Sequence, residues 1–428
     1  MTVKSLIPKL IIPSALGLLM VGCGGDSKGG SSAPAPTTKS GVFLDAEVGG
    51  LFYSASPSGL SGTTNSAGEF SYRDNDTLSF SLGGITVGTT AGQAIVTPRT
   101  IAASITSLPS GISAADIALN IAILLQSFDD DGNPDNGITI SAATATAAAN
   151  TTINFRVLPA DFVNDPSLTQ LASDTSKTIV SPEAAAEHTG GAIRKKIASS
   201  WNIVDAGGVN DQGAIITFFS NGHYVLGIDH NDPNCLDGLE WGSYKINAET
   251  GKFSTETVFV DTTGPQGDCG FYEQGAGLTA DIGLNSDTTI ALTNIGGEAN
   301  DNVNLSLIPV GTGIAGSWLL DEPESDGPIV VNFFSNGNYF MTHVKDGSGG
   351  ERGLERGTWA VDANTKVLTI SQTLDTNGDA GLSDLGGSPT LELTDTGRLK
   401  LTVTAEEIAL FDRLPLQDLS KNPATPLR

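Results

Sequence analysis

The chain has 428 residues and a formal net charge of −26, with 48 acidic against 22 basic side chains. That length allows about two to four domains. Negative charge spread along the chain argues against nucleic acid as a partner and against direct binding to anionic headgroups. It suits an extracytoplasmic protein, or acidity that serves solubility alone. The four histidines (His188, His223, His230 and His343) and three cysteines form no CxxC and no His/Cys zinc constellation.

At the start of the chain, Lys4 and Lys9 precede an apolar run that ends Met20-Val21-Gly22-Cys23. A charged head, a short apolar core and small residues before a cut are the layout of a secretory signal. With Cys right after Gly22, the run resembles a bacterial lipobox, although Met20 stands where Leu is usual. The resemblance implies cleavage before Cys23 and lipid attachment to its sulfur and new amino group, which makes the membrane a partner through the anchor. The plainer alternatives are an ordinary secretory signal or a single membrane helix. A spanning helix needs about 20 apolar residues, and Pro8, Lys9 and Pro13 interrupt this run. Residues 24–38 are rich in Gly, Ser, Pro and Thr, a composition that buries no core and behaves as a flexible tether. Gly24 and Gly25 follow the Cys rather than Asp, which by the same resemblance implies outer-membrane sorting.

Residues 41–100 read as a small β-sandwich. Leu78, Phe80 and Leu82 alternate with Ser79 and Ser81, the period of a half-buried strand. The order Gly62-x-Thr64, turn, Gly68-x-Phe70-x-Tyr72 resembles the small sandwich called carboxypeptidase regulatory-like. Residues 101–198 switch to a helical period. Ser113 and Asp116 form a capping-box pattern, and Ile117, Ile121, Leu124, Leu125 and Phe128 fall on one face. A second helix is expected from Ser181-Pro182, with Pro at its first position and Gly190-Gly191 weakening its middle. Weaker helical stretches run over 142–149 and 166–173.

The rest of the chain contains a repeat. Phe218-Phe219-Ser220-Asn221-Gly222-His223-Tyr224 recurs 115 positions later as Phe333-Phe334-Ser335-Asn336-Gly337-Asn338-Tyr339. Glu240 and Gly242 match Glu355 and Gly357 at the same offset, and Trp201 matches Trp318. Two long copies with shared landmarks are duplicated domains, expected at 199–311 and 312–415, with a tail at 416–428. In the first copy strands are expected near 200–205, 214–219, 223–229, 240–247, 252–260, 277–283, 288–293 and 303–308. In the second they fall near 316–321, 328–334, 339–345, 354–361, 366–373, 389–393, 398–403 and 407–412. Asn221-Gly222 and Asn336-Gly337 read as two-residue type I′ hairpin turns. Eight sequential strands form an up-and-down meander, and closing it into a barrel removes its edges. The expected fold class is therefore mainly β and multidomain, with a small N-terminal sandwich, a helical middle and two tandem eight-stranded antiparallel meanders or barrels.

Gly316-Ser317-Trp318 on a first strand, with Arg413 after the last, resembles the lipocalin and calycin signature. The resemblance implies that Trp318 closes one barrel end and that Arg413 packs over it. The first copy has Ser199-Ser200-Trp201, without the Gly, and no Arg near 308–312. A generic β-sandwich with a core Trp is the alternative.

Two acidic stretches are candidate calcium loops. Asp129, Asp131, Asn133 and Asp135 alternate around Gly132, and calcium takes several hard oxygens from alternating positions of a tight loop. The string resembles the calcium loops of thrombospondin type 3 and dockerin-like proteins. Three carboxylates beside the negative end of a helix are unfavourable without a cation; otherwise this is a solvated turn. The second candidate is Asp375, Asn377 and Asp379, otherwise a long hairpin loop. Cys235 and Cys269 form an even pair once Cys23 is set aside, and a disulfide between them is expected in an oxidising compartment. No H-E-x-x-H or Walker A occurs; the one G-x-S-x-G string, Gly25 to Gly29, falls in the Gly/Ser/Pro/Thr tract, and the one G-x-G-x-x-G string, Gly311 to Gly316, runs into an expected strand rather than a helix, so no catalytic residue is singled out. Three function classes remain. The first is a non-enzymatic, adhesin-like interaction lipoprotein with a protein or glycan partner. The second is a carrier of a small ligand inside the barrels, and the third an envelope hydrolase or its accessory.

Overall fold

The computed structural model describes residues 37–204, 213–229, 236–263, 270–273, 276–299, 301–321, 327–345 and 352–424. Cys23, Cys235 and Cys269 lie outside the described residues, so the lipidation and disulfide expectations do too.

The N-terminal unit places two small sheets face to face. One is antiparallel, ordered Ser61–Thr63, Phe52–Ser56, Thr77–Leu82 and Ile85–Ala91. The other carries Lys39–Phe43 between Glu69–Tyr72 and the parallel strand Ile95–Val96. Alternation does what period two predicts: Leu78, Phe80 and Leu82 are buried, and Phe80 meets Phe43 and Phe70 edge-on at 5.0 and 5.2 Å.

Ser113 caps the helix Ala114–Ser127 in a full capping box with Asp116. This helix is buried from Ile117 to Ser127 except at Leu119, including Asn120 and Gln126. It has no broad polar face to offer to water, so it must be surrounded. One continuous core, from Phe43 to Ala185, joins it to the sheets. The expected boundary at residue 100 is thus crossed by a single core. Helix Pro182–Ile197 starts at the Ser181 cap and runs unbroken through Gly190-Gly191. A Cβ at Gly190 would lie 3.1 Å from the Ile246 carbonyl oxygen, so this glycine serves close approach to the next domain.

The first repeat is a closed eight-stranded barrel: Ser200–Val204, Ala214–Phe218, His223–Ile228, Gly238–Asn247, Lys252–Asp261, Thr279–Ser286, Thr289–Thr293 and Val303–Leu307. The last strand pairs with the first, Trp201 opposite Leu307. The second repeat is an eight-stranded curled sheet: Gly316–Leu320, Ile329–Phe333, Asn338–His343, Gly353–Val361, Leu368–Asp375, Thr390–Leu393, Leu399–Thr402 and Ile408–Arg413. Its first and last strands pair, and its two edges meet at one isolated bridge between Val367 and Thr390.

The hairpins differ from the type I′ expectation. Gly222 and Gly337 have φ of +85° and +87°, but Asn221 and Asn336 are not among the positive-φ residues. Gly222 N donates to Phe219 O at 3.1 Å and Phe219 N to His223 O at 2.8 Å. The loop is a type I turn followed by a left-handed Gly, the three-residue G1-bulge hairpin. Asn221 Oδ1 accepts from His223 N, and Asn336 Oδ1 from Asn338 N, so the Asn side chains brace the turn rather than adopt positive φ.

The two repeats pack wall to wall. Phe219, Val225, Leu239 and Trp241 of the first form one cluster with Leu319, Val330 and Val344 of the second. Ile215 and Ile308 meet Phe334, Phe340 and Leu354 in another. Gly227 makes the approach possible, because a Cβ there would lie 2.6 Å from Thr342 Cγ2. Arg356 pairs with Asp229 across the seam. Strand His223–Ile228 is buried on both faces for this reason: one faces its own core, the other the neighbouring barrel.

Candidate functional site: a buried tyrosine–glutamate pair in each barrel

Both repeats bury one carboxylate completely. Glu240 and Glu355 are each 0% exposed. Tyr224 stands across from Gly242, and Tyr339 across from Gly357. Glycine at these positions leaves the phenol room to pass over the neighbouring strand; a Cβ on Gly242 would lie 2.9 Å from the Tyr224 hydroxyl. The Tyr224 hydroxyl donates to Glu240 Oε1, and the Tyr339 hydroxyl to Glu355 Oε1. A loop then closes over each carboxylate. Phe271 N donates to Glu240 Oε2 at 3.0 Å, and Ser383 N donates to Glu355 Oε1 at 3.0 Å. Gly270 and Gly381 lie so close that a side chain on either would collide with the glutamate Oε2.

Burial raises the Glu355 pKa, with Asp375 and Asp384 adding to the rise, against the Tyr339 and Ser383 hydrogen bonds. Burial together with Glu355 also raises Tyr339. The Tyr339–Glu355 hydrogen bond therefore lies between strand and loop, closed off from water. Around it the first barrel is filled by aromatic rings. Phe218, Tyr224, Tyr244, Phe253 and Phe271 are at most 2% exposed, and their centroids lie 5.0–6.0 Å apart. The second barrel repeats the scaffold: Phe333 meets Trp359 at 4.9 Å where Phe218 meets Tyr244 at 5.0 Å. Tyr244 Oη donates to Phe219 O, and Trp359 Nε1 to Phe334 O.

Trp201 and Trp318 occupy equivalent buried places. Trp201 Nε1 donates to Ile197 O and Trp318 Nε1 to Ile314 O, each at 2.8 Å. The Arg413 guanidinium carbon lies 4.1 Å from the Trp318 ring centroid. Its nitrogens donate to the carbonyls of Gly311, Ala315 and Gly313 at 2.8, 3.3 and 2.5 Å. In the first barrel Ile193 and Ile197, the last turns of the preceding helix, join the core that holds Trp201.

The first acidic loop is only partly gathered. Asp129 Oδ1 accepts from Thr139 N, and its buried Oδ2 has no partner among the described residues. Burial raises the Asp129 pKa, with Asp131 contributing; hydrogen bonds from Asn136 and Asn133 lower that of Asp131. Asn133 offers its backbone N–H to Asp131, while Asp135 turns outward to Lys195 and His188 at 3.7 and 3.9 Å. Lys177 Nζ donates to Asp130 O at 2.6 Å. Lysines thus supply positive charge at this loop. In the second, Asn377 is fully buried, Asp375 half-buried and Asp379 exposed. Among the described residues no three His, Cys, Asp or Glu side chains stand together as a metal-ligand group.

A cavity of about 480 Å3 opens where the N-terminal unit, the first barrel and the C-terminal segment meet, lined in part by Asp135, Lys195, Phe219, Leu416 and Leu419. That segment, expected as a tail, is a strap. Leu414 and Leu416 enter the seam between the barrels. Asn221 Nδ2 donates to Pro423 O at 2.8 Å, and Lys421 Nζ reaches Asp412 and Asp321 at 2.6 and 3.1 Å.

Sequence reasoning found Glu240 and Glu355 as landmarks of the repeat but not their pairing with Tyr224 and Tyr339. The signal was there: both copies carry Glu-x-Gly together with a Tyr that follows the hairpin. No protein-family model, curated protein or solved structure matches the chain. No helix among the described residues is long and apolar enough to cross a membrane.

Proposed function

We propose that this is a non-enzymatic, lipid-anchored protein of the bacterial cell envelope, held on the outer membrane through Cys23. It displays its β modules as an adhesin-like interaction surface towards a protein or glycan. The observation that carries this reading is the filled interior of the first barrel. A β-barrel that carries a ligand needs a cavity, whereas Phe218, Tyr224, Tyr244, Phe253 and Phe271 occupy that space. The buried Tyr–Glu pairs fit the same reading, because a carboxylate closed over by the loop at Phe271 or Ser383 meets no substrate. With the interior filled, recognition falls to the outer faces, and the Gly/Ser/Pro tract at 24–38 supplies the reach.

The lipocalin-like reading of the repeats rests on Trp318, Arg413 and eight sequential strands, and it concerns the fold rather than a cargo. Two measurements test the proposal. Mass spectrometry of the membrane-extracted protein should find an acylated N-terminal Cys23. Protease added to intact cells should remove the modules. A soluble mature protein with an unmodified start elsewhere contradicts the anchor, and full protection in intact cells contradicts surface display.

A further inference from the structure

The exposed sheet faces of this protein are decorated in two ways. On the first barrel, strand positions carry charges that pair with the neighbouring strand: Lys245 with Glu256 at 2.8 Å and Lys252 with Asp281 at 2.7 Å. The outer face of the four-stranded N-terminal sheet carries none. Residues 48–68 and 77–98, which supply its strands, hold no Asp, Glu, Lys, Arg or His in a chain of net charge −26.

Register lays that face out as a lattice. Tyr53, Ala55, Leu78 and Phe80 point into the core, so the residues between them point outward. Phe52 stands between Thr63 and Ser81, and Ser81 faces Thr86, which makes one row across the four strands. Ser54 stands between Ser61 and Ser79, and Ser79 faces Thr89, which makes the next row. Positions lie about 4.8 Å apart across strands and about 6.8 Å apart along them. Seven of these eight side chains are Ser or Thr. The eighth, Phe52, is 50% exposed.

The hydroxyls of the lattice are unspent. Elsewhere on the surface such groups close turns: Thr250 Oγ1 donates to Asn247 Oδ1 and Ser420 Oγ to Asp418 Oδ1, each at 2.6 Å. None of the seven lattice hydroxyls has a hydrogen-bond partner among the described residues. Each offers one donor and two acceptor lone pairs.

Charge and composition decide what such a face fits. A polyanion is repelled by the net charge of the molecule, and a polycation finds no carboxylate in the lattice. A protein partner calls for several aromatic or Arg anchors, and interface cores are poor in Ser. A neutral polysaccharide matches on each count. It is uncharged, its hydroxyls donate and accept as those of the lattice do, and the apolar C–H face of a sugar ring lies flat on an exposed aromatic ring.

We propose that the outer face of the N-terminal sheet binds a neutral polysaccharide, laid across the strands with one sugar ring on Phe52 and its hydroxyls on the Ser/Thr rows. This narrows the protein-or-glycan partner of the preceding reading to an uncharged glycan, and it rests on that reading. A single hydroxyl contact in water contributes little, so the face holds a polymer that meets many at once and not a free monosaccharide.

The test is affinity electrophoresis of the full chain in native gels cast with hydroxyethylcellulose, galactomannan or arabinoxylan. Carboxymethylcellulose serves as the charged counterpart of the first. At least one neutral polymer should retard the wild type, and carboxymethylcellulose should not. Phe52→Ala should weaken that retardation about tenfold and the pair Ser54→Ala with Ser79→Ala about fivefold. Leu158→Ala, which alters a residue 45% exposed on another element, should leave it unchanged. Phe52 is exposed, so its variant should melt as the wild type does. The proposal is overturned by unchanged migration in all three neutral polymers, by retardation undiminished in either lattice variant, or by stronger retardation in carboxymethylcellulose. A doubled mass in sedimentation that Phe52→Ala reduces to the monomer would assign the face to a second copy of the chain instead. Retardation together with full protease protection in intact cells contradicts surface display and leaves the binding face standing. Cleavage in intact cells without retardation overturns the binding face alone.

Discussion

In the first barrel Trp201 is covered by the helix that leads into the first strand, with Ile193 and Ile197 in the barrel core. In the second no helix precedes the strand. The carbonyls of Gly311, Gly313 and Ala315 face the open end, and Arg413 gathers all three while lying on Trp318. The interiors, meanwhile, are copies: Tyr over Gly to a buried Glu, and an aromatic that donates to the hairpin carbonyl. A duplicated domain keeps what fills its core, because volume and hydrogen bonds there must fit together. It changes its ends according to what precedes it in the chain. The first barrel borrows its lid from the neighbouring helix; the second carries its own.

If the interiors are equivalent, their glutamates should be equally costly to remove. Glu355→Ala leaves the Tyr339 hydroxyl and Ser383 N–H buried without an acceptor, and Glu240→Ala does the same to Tyr224 and Phe271 N–H. Each should destabilise its barrel by about 3–5 kcal/mol, measured by denaturant unfolding followed with Trp fluorescence. A large cost in one barrel and almost none in the other breaks the equivalence.

The lids should respond to different insults. Thr189, on the helix that covers the first barrel, donates to Asp45 Oδ1 at 2.6 Å, and Gln126 approaches the same carboxylate. Burial pushes the Asp45 pKa up to about 7, against those hydrogen bonds. Between the ordinary carboxylate value and 7, folded Asp45 keeps a proton that the unfolded chain releases. Its contribution is therefore complete below about pH 4 and is lost as pH rises through 7. The loss is on the order of 4 kcal/mol for a fully buried group. Unfolding of the N-terminal unit and first barrel should weaken over this range in the wild type and flatten in Asp45→Asn, while the second barrel is indifferent.

Arg413→Ala removes a ring contact and three hydrogen bonds from a half-buried site, and should cost the second barrel about 2–3 kcal/mol with no effect on the first. Arg413→Lys should recover only part, since an ammonium lacks the planar fork. The readout is the Trp318 signal in a Trp359→Phe background.

Much of this plan was legible in the sequence. All sixteen barrel strands lie within a few residues of their expected positions, because alternation and Asn-Gly turns are local signals. The Ser113–Asp116 capping box was legible for the same reason. What was not legible is long-range. Glu240 on a strand reads as a surface residue until the register brings Tyr224 over Gly242. Gly190 reads as a weak point until Ile246 is seen against it. The acidic loops read alike as alternating carboxylates, yet Lys177, from the segment after one helix, and Lys195, on another helix, arrive at one of them from far along the chain. The turn type was misjudged because Asn-Gly also fits a G1-bulge loop, and neither the dipeptide nor its flanks distinguish the two.

The smallest difference concerns those turns. Gly222 and Gly337 share a left-handed φ, but a Cβ would lie 3.1 Å from Tyr244 O in the first barrel and 3.8 Å from Trp359 O in the second. Gly→Ala should cost about 1 kcal/mol for the backbone in both, with a further few tenths at Gly222, measured as paired shifts in denaturation midpoint.

The central claim is that the barrels are filled modules that act through their outer faces. Titrating the full-length protein with a fluorescent fatty acid, at neutral pH and read by energy transfer from tryptophan, tests it most directly. The account predicts no saturable binding up to tens of micromolar ligand. Saturable binding near one ligand per barrel, abolished by filling the interior further at Gly242 or Gly357, would contradict it.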